Sequence, residues 1–131
     1  MSIHPTLRYP DPAAAITFLT EALGLTAEFV STGDDGAVQH AELSFRGGPE
    51  HEAGVVMIGP RQGPDDTFDS GRAVLYLPVD DPDVRHDRAV AAGAEVVQGL
   101  VDQPYGSREF AVRDPDGNIW SLGTYRPAVK P

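Results

Sequence analysis

The feature that most constrains this chain of 131 residues is an internal duplication. The segment LRYPDP that begins at Leu7 recurs as LPVDDP at Leu77. Each copy is typical of a strand that leads into a helix. Asp11 and Asp81 can each cap a helix by accepting hydrogen bonds from free backbone N–H groups, and the proline that follows suits the first helical position. The duplication predicts two copies of one structural unit.

Apolar periodicity predicts one helix and four strands in each copy, which gives an α+β fold of two βαβββ modules with a mixed sheet. The first helix presents Ala15, Ile16, Leu19, Ala22 and Leu23 and ends near Gly24; the second presents Val84, Ala91 and Ala92 and ends near Gly93. Later strands are predicted over 38–45, 54–58, 108–113 and 118–122, the last two joined by the turn at Asp114. We expect one domain over 1–131, with module one at about 1–60, a linker at about 61–70 and module two at about 71–127.

Alternation along the strands predicts two different faces. One parity is almost wholly apolar and should pack against the helices: Ile3, Pro5, Leu7, Ala41, Leu43, Phe45, Val56, Ile58, Leu75, Leu77, Phe110, Val112, Trp120 and Leu122. The other parity mixes polar and apolar residues: His4, Thr6, Arg8, His40, Glu42, Ser44, Val55, Met57, Val74, Tyr76, Glu109, Ile119 and Ser121. A mixture of this kind suits a concave ligand pocket.

Composition removes several classes of function. The chain has no cysteine, so a disulfide framework, a thiolate metal site and a cysteine nucleophile are excluded. A net charge of −10 repels nucleic acid and anionic membranes; it can serve solubility or attract a cationic ligand. No secretion signal or apolar run of about 18 residues is evident, so we expect a cytoplasmic protein that does not cross a membrane.

The repeated unit resembles the vicinal oxygen chelate superfamily, which includes glyoxalases, bleomycin-resistance proteins and dioxygenases. Residues 4–11 are similar to the opening strand of glyoxalase I, and residues 103–115, QPYGSREFAVRDP, are similar to bleomycin-resistance proteins. The resemblance implies that the modules curve around a cavity. It also implies a homodimer with small-molecule pockets at the subunit interface.

The resemblance places four metal-binding positions on the first and fourth strands of the modules. They correspond here to His4, Met57, Val74 and Ser121. A thioether, a valine and a serine cannot replace the usual carboxylates and imidazoles. We therefore predict no cofactor.

A rearranged metal site is the alternative, with His4, His40, Glu42 and Glu109 binding Zn, Ni, Fe or Mn. His40 and Glu42 share a strand face at i, i+2, and Glu109 is interpreted as the counterpart of Glu42 in module two. The same pair can instead form a hydrogen-bonded surface pair or contact a ligand.

Tyr105 is the first candidate for ligand contact, because an aromatic ring in its loop can stack on a planar ligand or bind a cation. It can equally pack on the sheet edge. The full predicted ligand-binding set is Tyr105, Glu109, Tyr76, Met57, Ser121, Arg8, His40 and Glu42. Trp120 is predicted to be core, and His51 and His86 are predicted to be loop and helix-surface residues without a motif.

These residues favour a binding protein of the bleomycin-resistance type, which sequesters an aromatic or cationic drug-like ligand without catalytic residues. The alternative is a metal-dependent lyase, isomerase or dioxygenase of the glyoxalase type. Fold resemblance alone cannot choose between them.

Overall fold

The computed structural model describes residues 2–131, and Met1 lies outside the described residues. Two βαβββ modules follow each other along the chain, which confirms the predicted α+β fold. Module one contains β1 (Thr6–Tyr9), α1 (Pro12–Glu21), β2 (Thr26–Thr32), β3 (Val38–Phe45) and β4 (Gly54–Pro60). Module two contains β5 (Val74–Pro78), α2 (Pro82–Ala91), β6 (Glu95–Asp102), β7 (Arg108–Arg113) and β8 (Ile119–Gly123).

The strands form two four-stranded sheets, ordered β1-β4-β3-β2 and β5-β8-β7-β6, and each sheet is mixed, as predicted. In each sheet the first and fourth strands are parallel and the remaining pairs are antiparallel. The registers are equivalent, because Thr6 lies opposite Met57 as Tyr76 lies opposite Ser121. Positions of the two modules can therefore be matched residue by residue.

The two helices begin at the predicted prolines but are capped differently. Asp11 accepts a hydrogen bond from the backbone N–H of Ala14 at 3.1 Å, as predicted. Asp81 makes no capping hydrogen bond, so that prediction was wrong. Its carboxylate instead accepts from Nε of Arg85 at 2.9 Å, one helical turn further along.

The core lies on the helix-facing parity, as the alternation predicts. Ten members of that set are buried: Leu7, Ala41, Leu43, Val56, Ile58, Leu77, Phe110, Val112, Trp120 and Leu122. Pro5, Phe45 and Leu75 are half-buried, whereas Ile3, which precedes β1, is 97% exposed.

The predicted inward face of α2 was wrong, since Val84, Ala91 and Ala92 are all exposed. The helix buries Pro82 and Ala89 instead. His86 lies between them on the same face, and its ring meets Phe110 edge-on with centroids 5.3 Å apart. This face lacks large aliphatic residues, so apolar periodicity could not identify it.

The carboxylate of Asp114 joins the two modules. Its Oδ2 accepts from the Tyr9 hydroxyl at 2.6 Å, from Nε1 of Trp120 at 3.0 Å and from Nδ2 of Asn118 at 3.0 Å. Burial and this hydrogen bond raise the pKa of Tyr9 far above its usual value, so its hydroxyl stays a donor. The turn that the sequence predicts at Asp114 thus also ties β1 to the end of β7.

The linker is fixed to both modules by Arg61. Its backbone N–H donates to the carbonyl of Tyr9 at 3.0 Å, and its guanidinium pairs with Asp69 in the linker and with Asp116 at 2.7 Å. Within residues 2–131, no helix is long and apolar enough to cross a membrane.

Candidate functional site

Glu109 lies at the centre of a group of polar side chains in module two. It lies in β7 opposite Gly123 of β8, is only 8% exposed, and accepts from the Tyr105 hydroxyl at 2.8 Å. A Cβ placed on Gly123 would lie 2.6 Å from Cγ of Glu109 and 2.9 Å from the Tyr76 hydroxyl. The missing side chain at Gly123 is what allows Tyr105, Glu109 and Tyr76 to converge.

A third tyrosine, Tyr125, completes this group. The Tyr76 hydroxyl donates to the backbone carbonyl of Tyr125 at 2.6 Å, and the two rings are 6.5 Å apart. The rings of Tyr105 and Tyr125 meet edge-on at 6.4 Å. We call Tyr76, Tyr105, Tyr125 and Glu109 the tyrosine cluster. Sequence reasoning missed Tyr125 because it follows β8 and so has no strand alternation to indicate its direction.

The hydroxyl groups of Tyr76 and Tyr105 are held in their neutral form. Desolvation raises the pKa of Tyr76. The hydrogen bond to Glu109, followed by desolvation, raises the pKa of Tyr105. Both hydroxyls therefore act as donors at neutral pH, and the negative charge of the cluster belongs to Glu109.

The equivalent face of module one has different chemistry. His40 Nε2 lies 2.9 Å from Oε2 of Glu42, and both side chains are about two-fifths exposed, at 41% and 42%. Since Ala41 faces Ile58 as Phe110 faces Leu122, the module-two counterpart of His40 is Glu109. The predicted equivalence of Glu42 and Glu109 was wrong by two residues.

The positive charge of Arg8 is directed to the linker. Its Nε lies 3.8 Å from Oδ2 of Asp66, and both atoms are buried without a hydrogen-bond partner in the described chain. Arg8 therefore pairs with neither Glu42 nor Glu109.

Of the predicted ligand-binding residues, the structure brings together Tyr76, Tyr105 and Glu109, with Ser121 beside Tyr76 on the next strand. Arg8, His40, Glu42 and Met57 lie on the sheet of module one.

The four positions that the resemblance assigns to a metal do not fit one. The ring of His4 lies 3.2 Å from the carbonyl of Val55 and 2.9 Å from the hydroxyl of Ser2, and Val74 is 75% exposed. Met57 and Ser121 offer no imidazole or carboxylate. Across residues 2–131, no three His, Asp or Glu side chains converge. The alternative set of His4, His40, Glu42 and Glu109 is thus not assembled beyond the His40–Glu42 pair.

A cavity of about 380 Å³ lies on the opposite, helix-facing side of the sheets. Of the predicted ligand-binding residues, only Tyr76 lines it. His51 also lines it, is 6% exposed and contacts Oδ1 of Asp80 through Nε2 at 2.7 Å. His51 lies in the β3–β4 loop, as predicted, but the loop folds onto the end of β5, which is distant in sequence, and buries the ring. His86 is also partly covered rather than a free surface residue, at 22% side-chain exposure.

Known proteins resemble this chain in both sequence and architecture. Uncharacterized proteins of Mycobacterium bovis and Mycobacterium tuberculosis are 33% identical over 93% of this chain, covering 82% and 73% of their own lengths. The structure of TioX from Micromonospora sp. ML1 superposes with a TM-score of 0.77 and 29% identity, covering 96% of this chain and 99% of its own.

A second similar structure is TnmS3 from Streptomyces sp. CB03234, which is described as an antibiotic binding protein. It has a TM-score of 0.68 and 24% identity, with 93% of this chain and 96% of its own covered, and at that identity it supports the fold alone. Residues 2–122 match the sequence profile of one family. The chain belongs to the Glyoxalase/Bleomycin resistance protein/Dioxygenase superfamily.

Proposed function

We propose that this protein binds and sequesters a small aromatic or cationic drug-like molecule, without catalysing a reaction on it. The observation that carries the proposal is the tyrosine cluster. Its three rings lie around one largely buried carboxylate on the face that the sequence predicts to be concave. Tyr105 is 63% exposed and therefore accessible to a ligand.

The chemistry of the cluster favours a flat, cationic ligand. Aromatic rings stack on planar molecules, and their faces attract cations. Within the described residues, Glu109 accepts a hydrogen bond from Tyr105 but has no Arg, Lys or His nitrogen within ion-pair distance. A carboxylate that is partly removed from water and lacks a counter-charge gains from a ligand cation.

The family relationship is consistent with this role. TnmS3, which shares the fold, is described as an antibiotic binding protein. We extend the proposal to drug self-protection by stoichiometric binding in the cytoplasm, with no metal cofactor. A tight binder of this kind needs no catalytic group.

We further propose a homodimer with the pockets at its interface. Strands β2 and β6, each at one edge of its sheet, expose apolar side chains at Phe29, Val30, Val97 and Val101. Exposed apolar edges are favourable pairing surfaces for a second copy. Light scattering should give about twice the chain mass of 14.0 kDa at micromolar concentration, and a monomer would contradict the dimer.

Titration calorimetry with 9-aminoacridine, acridine and anthracene-9-carboxylate tests the ligand class. The cation should bind tightest, and Glu109→Gln should reduce its affinity while leaving neutral acridine nearly unchanged. Glu42→Gln, in the other sheet, is the matched control and should have little effect. Equal affinities for the three compounds, or tightest binding of the anion, would reject the role of Glu109.

Metal analysis tests the absence of a cofactor separately. Protein purified without chelator should contain clearly less than one equivalent of Zn, Ni, Fe or Mn, because Met57, Val74 and Ser121 cannot complete a site around His4. Near-stoichiometric metal in the natural protein that is lost in His4→Ala would contradict the proposed binding protein and favour a metal-dependent enzyme of the glyoxalase type.

A further inference from the structure

We infer that the cavity on the helix-facing side of the sheets is a second ligand site, which takes a compact, neutral, largely apolar molecule with one hydrogen-bonding group. This site shares Tyr76 with the tyrosine cluster, but Tyr105, Tyr125 and Glu109 do not line it. We call it the inter-module cavity, because both sheets contribute to it. Alkylphenols represent the expected ligand class.

The surfaces of the inter-module cavity come from both modules. Module one contributes Leu43, Phe45 and Val56, and module two contributes Leu75, Leu77 and Trp120. The β3–β4 loop covers one side with His51, Glu52 and Ala53. Apolar surfaces with few polar groups are typical of small-molecule pockets.

His51 supplies the polar contact. Its Nε2 is held by Asp80 at 2.7 Å, and the guanidinium of Arg46 donates to its backbone carbonyl. In the described part of the chain, Nδ1 of His51 has no hydrogen-bond partner. A fixed imidazole with one unused nitrogen can accept from or donate to a single polar group of a ligand.

The size of the cavity argues for an occupant. The cavity is a half-open cleft, because exposed residues such as Ala53 line it together with buried ones such as Leu43. This cavity, at about 380 Å³, falls within the range of roughly 300 to 1,000 Å³ that is typical of ligand pockets. Its lining cannot readily collapse, because Nε1 of Trp120 is bonded to Asp114 and His51 is bonded to Asp80.

Trp120 offers a direct readout, since it is the chain's single tryptophan and lines the cavity. Titration with 4-ethylphenol should shift its indole N–H signal in a ¹H–¹⁵N correlation spectrum saturably. Ala53→Phe, at an exposed loop position that lines the cavity, should weaken this binding about tenfold or more by occupying the space. Leu75→Phe, in strand β5, is a second filling variant and should weaken binding in the same way. It replaces Ala53→Phe as the test if that substitution perturbs the loop.

Comparison with ethylbenzene tests the contact with His51. The phenol should bind about two- to tenfold more tightly, which corresponds to one net hydrogen bond. His51→Phe, checked for folding by its thermal transition, should remove that preference. Equal affinities of the two probes for the natural protein would reject the contact.

Tyr105→Ala distinguishes the two sites, because Tyr105 belongs to the tyrosine cluster and does not line the cavity. It should weaken 9-aminoacridine and leave the response of Trp120 to 4-ethylphenol intact. Loss of both responses would overturn the inference of a separate site. The absence of a saturable Trp120 shift, or a shift that survives both filling variants, would overturn it as well.

Discussion

The two modules share a strand ladder but differ at equivalent positions of the predicted concave face. Tyr76 in module two corresponds to Thr6 in module one, and Glu109 corresponds to His40. The carboxylate of Glu109 is largely buried beneath tyrosine rings, whereas His40 forms a half-exposed pair with its neighbour on the same strand. The two copies have kept the strand pairing and the core, whereas the side chains on the predicted concave face have diverged.

The connections between the third and fourth strands of the two modules also differ. In module two, a short turn places Asp114 as the acceptor for Tyr9 and Trp120. In module one, the longer loop at 46–53 is held by the contact between His51 and Asp80. Both connections join the modules, but only the turn of module two directs several hydrogen bonds to one buried carboxylate.

Removing that carboxylate should have the largest effect on stability. Asp114→Ala leaves the Tyr9 hydroxyl, Nε1 of Trp120 and Nδ2 of Asn118 without their shared acceptor in a buried site. We expect the free energy of unfolding to fall by about 3 to 5 kcal/mol. Urea denaturation measures it, with Asp34→Ala in an exposed turn of module one as the control, expected within about 0.5 kcal/mol of the natural protein. A loss below about 1 kcal/mol would mean that Asp114 does not join the modules.

Tyr9→Phe separates one bond of this network from the rest. Loss of its hydrogen bond to a charged acceptor should cost about 1.5 to 3 kcal/mol at neutral pH. The pKa of Tyr9 in the folded protein lies above its unfolded value of about 10, so this contribution is complete below about pH 10 and is lost as pH rises further. The stability difference between the natural protein and Tyr9→Phe should therefore be constant between about pH 7 and 9 and should shrink by about pH 11.

Urea titrations at these three pH values provide the measurement. Tyr125→Phe is the control, because within residues 2–131 its hydroxyl makes no hydrogen bond. A difference that grows above pH 10 would contradict a neutral, donating Tyr9.

The fold could be predicted from the sequence because its signals are local. The proline after each aspartate specifies the helix starts, and strand alternation identifies the buried faces of β3, β4, β7 and β8. Helix α2 was the exception, since Ala89 and the half-polar His86 form its inward face. A pattern that depends on large apolar residues cannot detect such a face.

The candidate site could be predicted only in part. Tyr76, Tyr105 and Glu109 lie on or beside predictable strands, and the structure places them together. Tyr125 and His51 lie in irregular segments, where the direction of a side chain follows from contacts distant in sequence. The pairing of Arg8 with Asp66 escaped prediction for the same reason, because the path of the linker decides it.

Truncating the most accessible ring of the tyrosine cluster sharpens the contrast between the equivalent faces of the two modules. Tyr105→Ala should weaken binding of 9-aminoacridine by about three- to tenfold, because a stacking contact contributes about 0.5 to 1.5 kcal/mol beyond its buried area. Phe29→Ala removes an exposed aromatic ring of module one, whose centroid lies 6.2 Å from that of the His40 ring, and it should change affinity little. Calorimetry compares the two variants, and a larger loss in Phe29→Ala would transfer the binding surface to module one.

The helix caps provide the smallest and most direct comparison of the modules. Asp11 accepts from the backbone N–H of Ala14, so Asp11→Ala should lower the free energy of unfolding by about 1 kcal/mol. Asp81 makes only an exposed i,i+4 contact with Arg85, and its replacement by alanine should cost about 0.3 to 0.5 kcal/mol. Thermal or urea unfolding of the two variants side by side measures the difference, and the two alanine substitutions share the same unfolded-state change. A cost for Asp81→Ala equal to or above that for Asp11→Ala would show that Asp81 caps α2 in solution and that the two helix starts are equivalent after all.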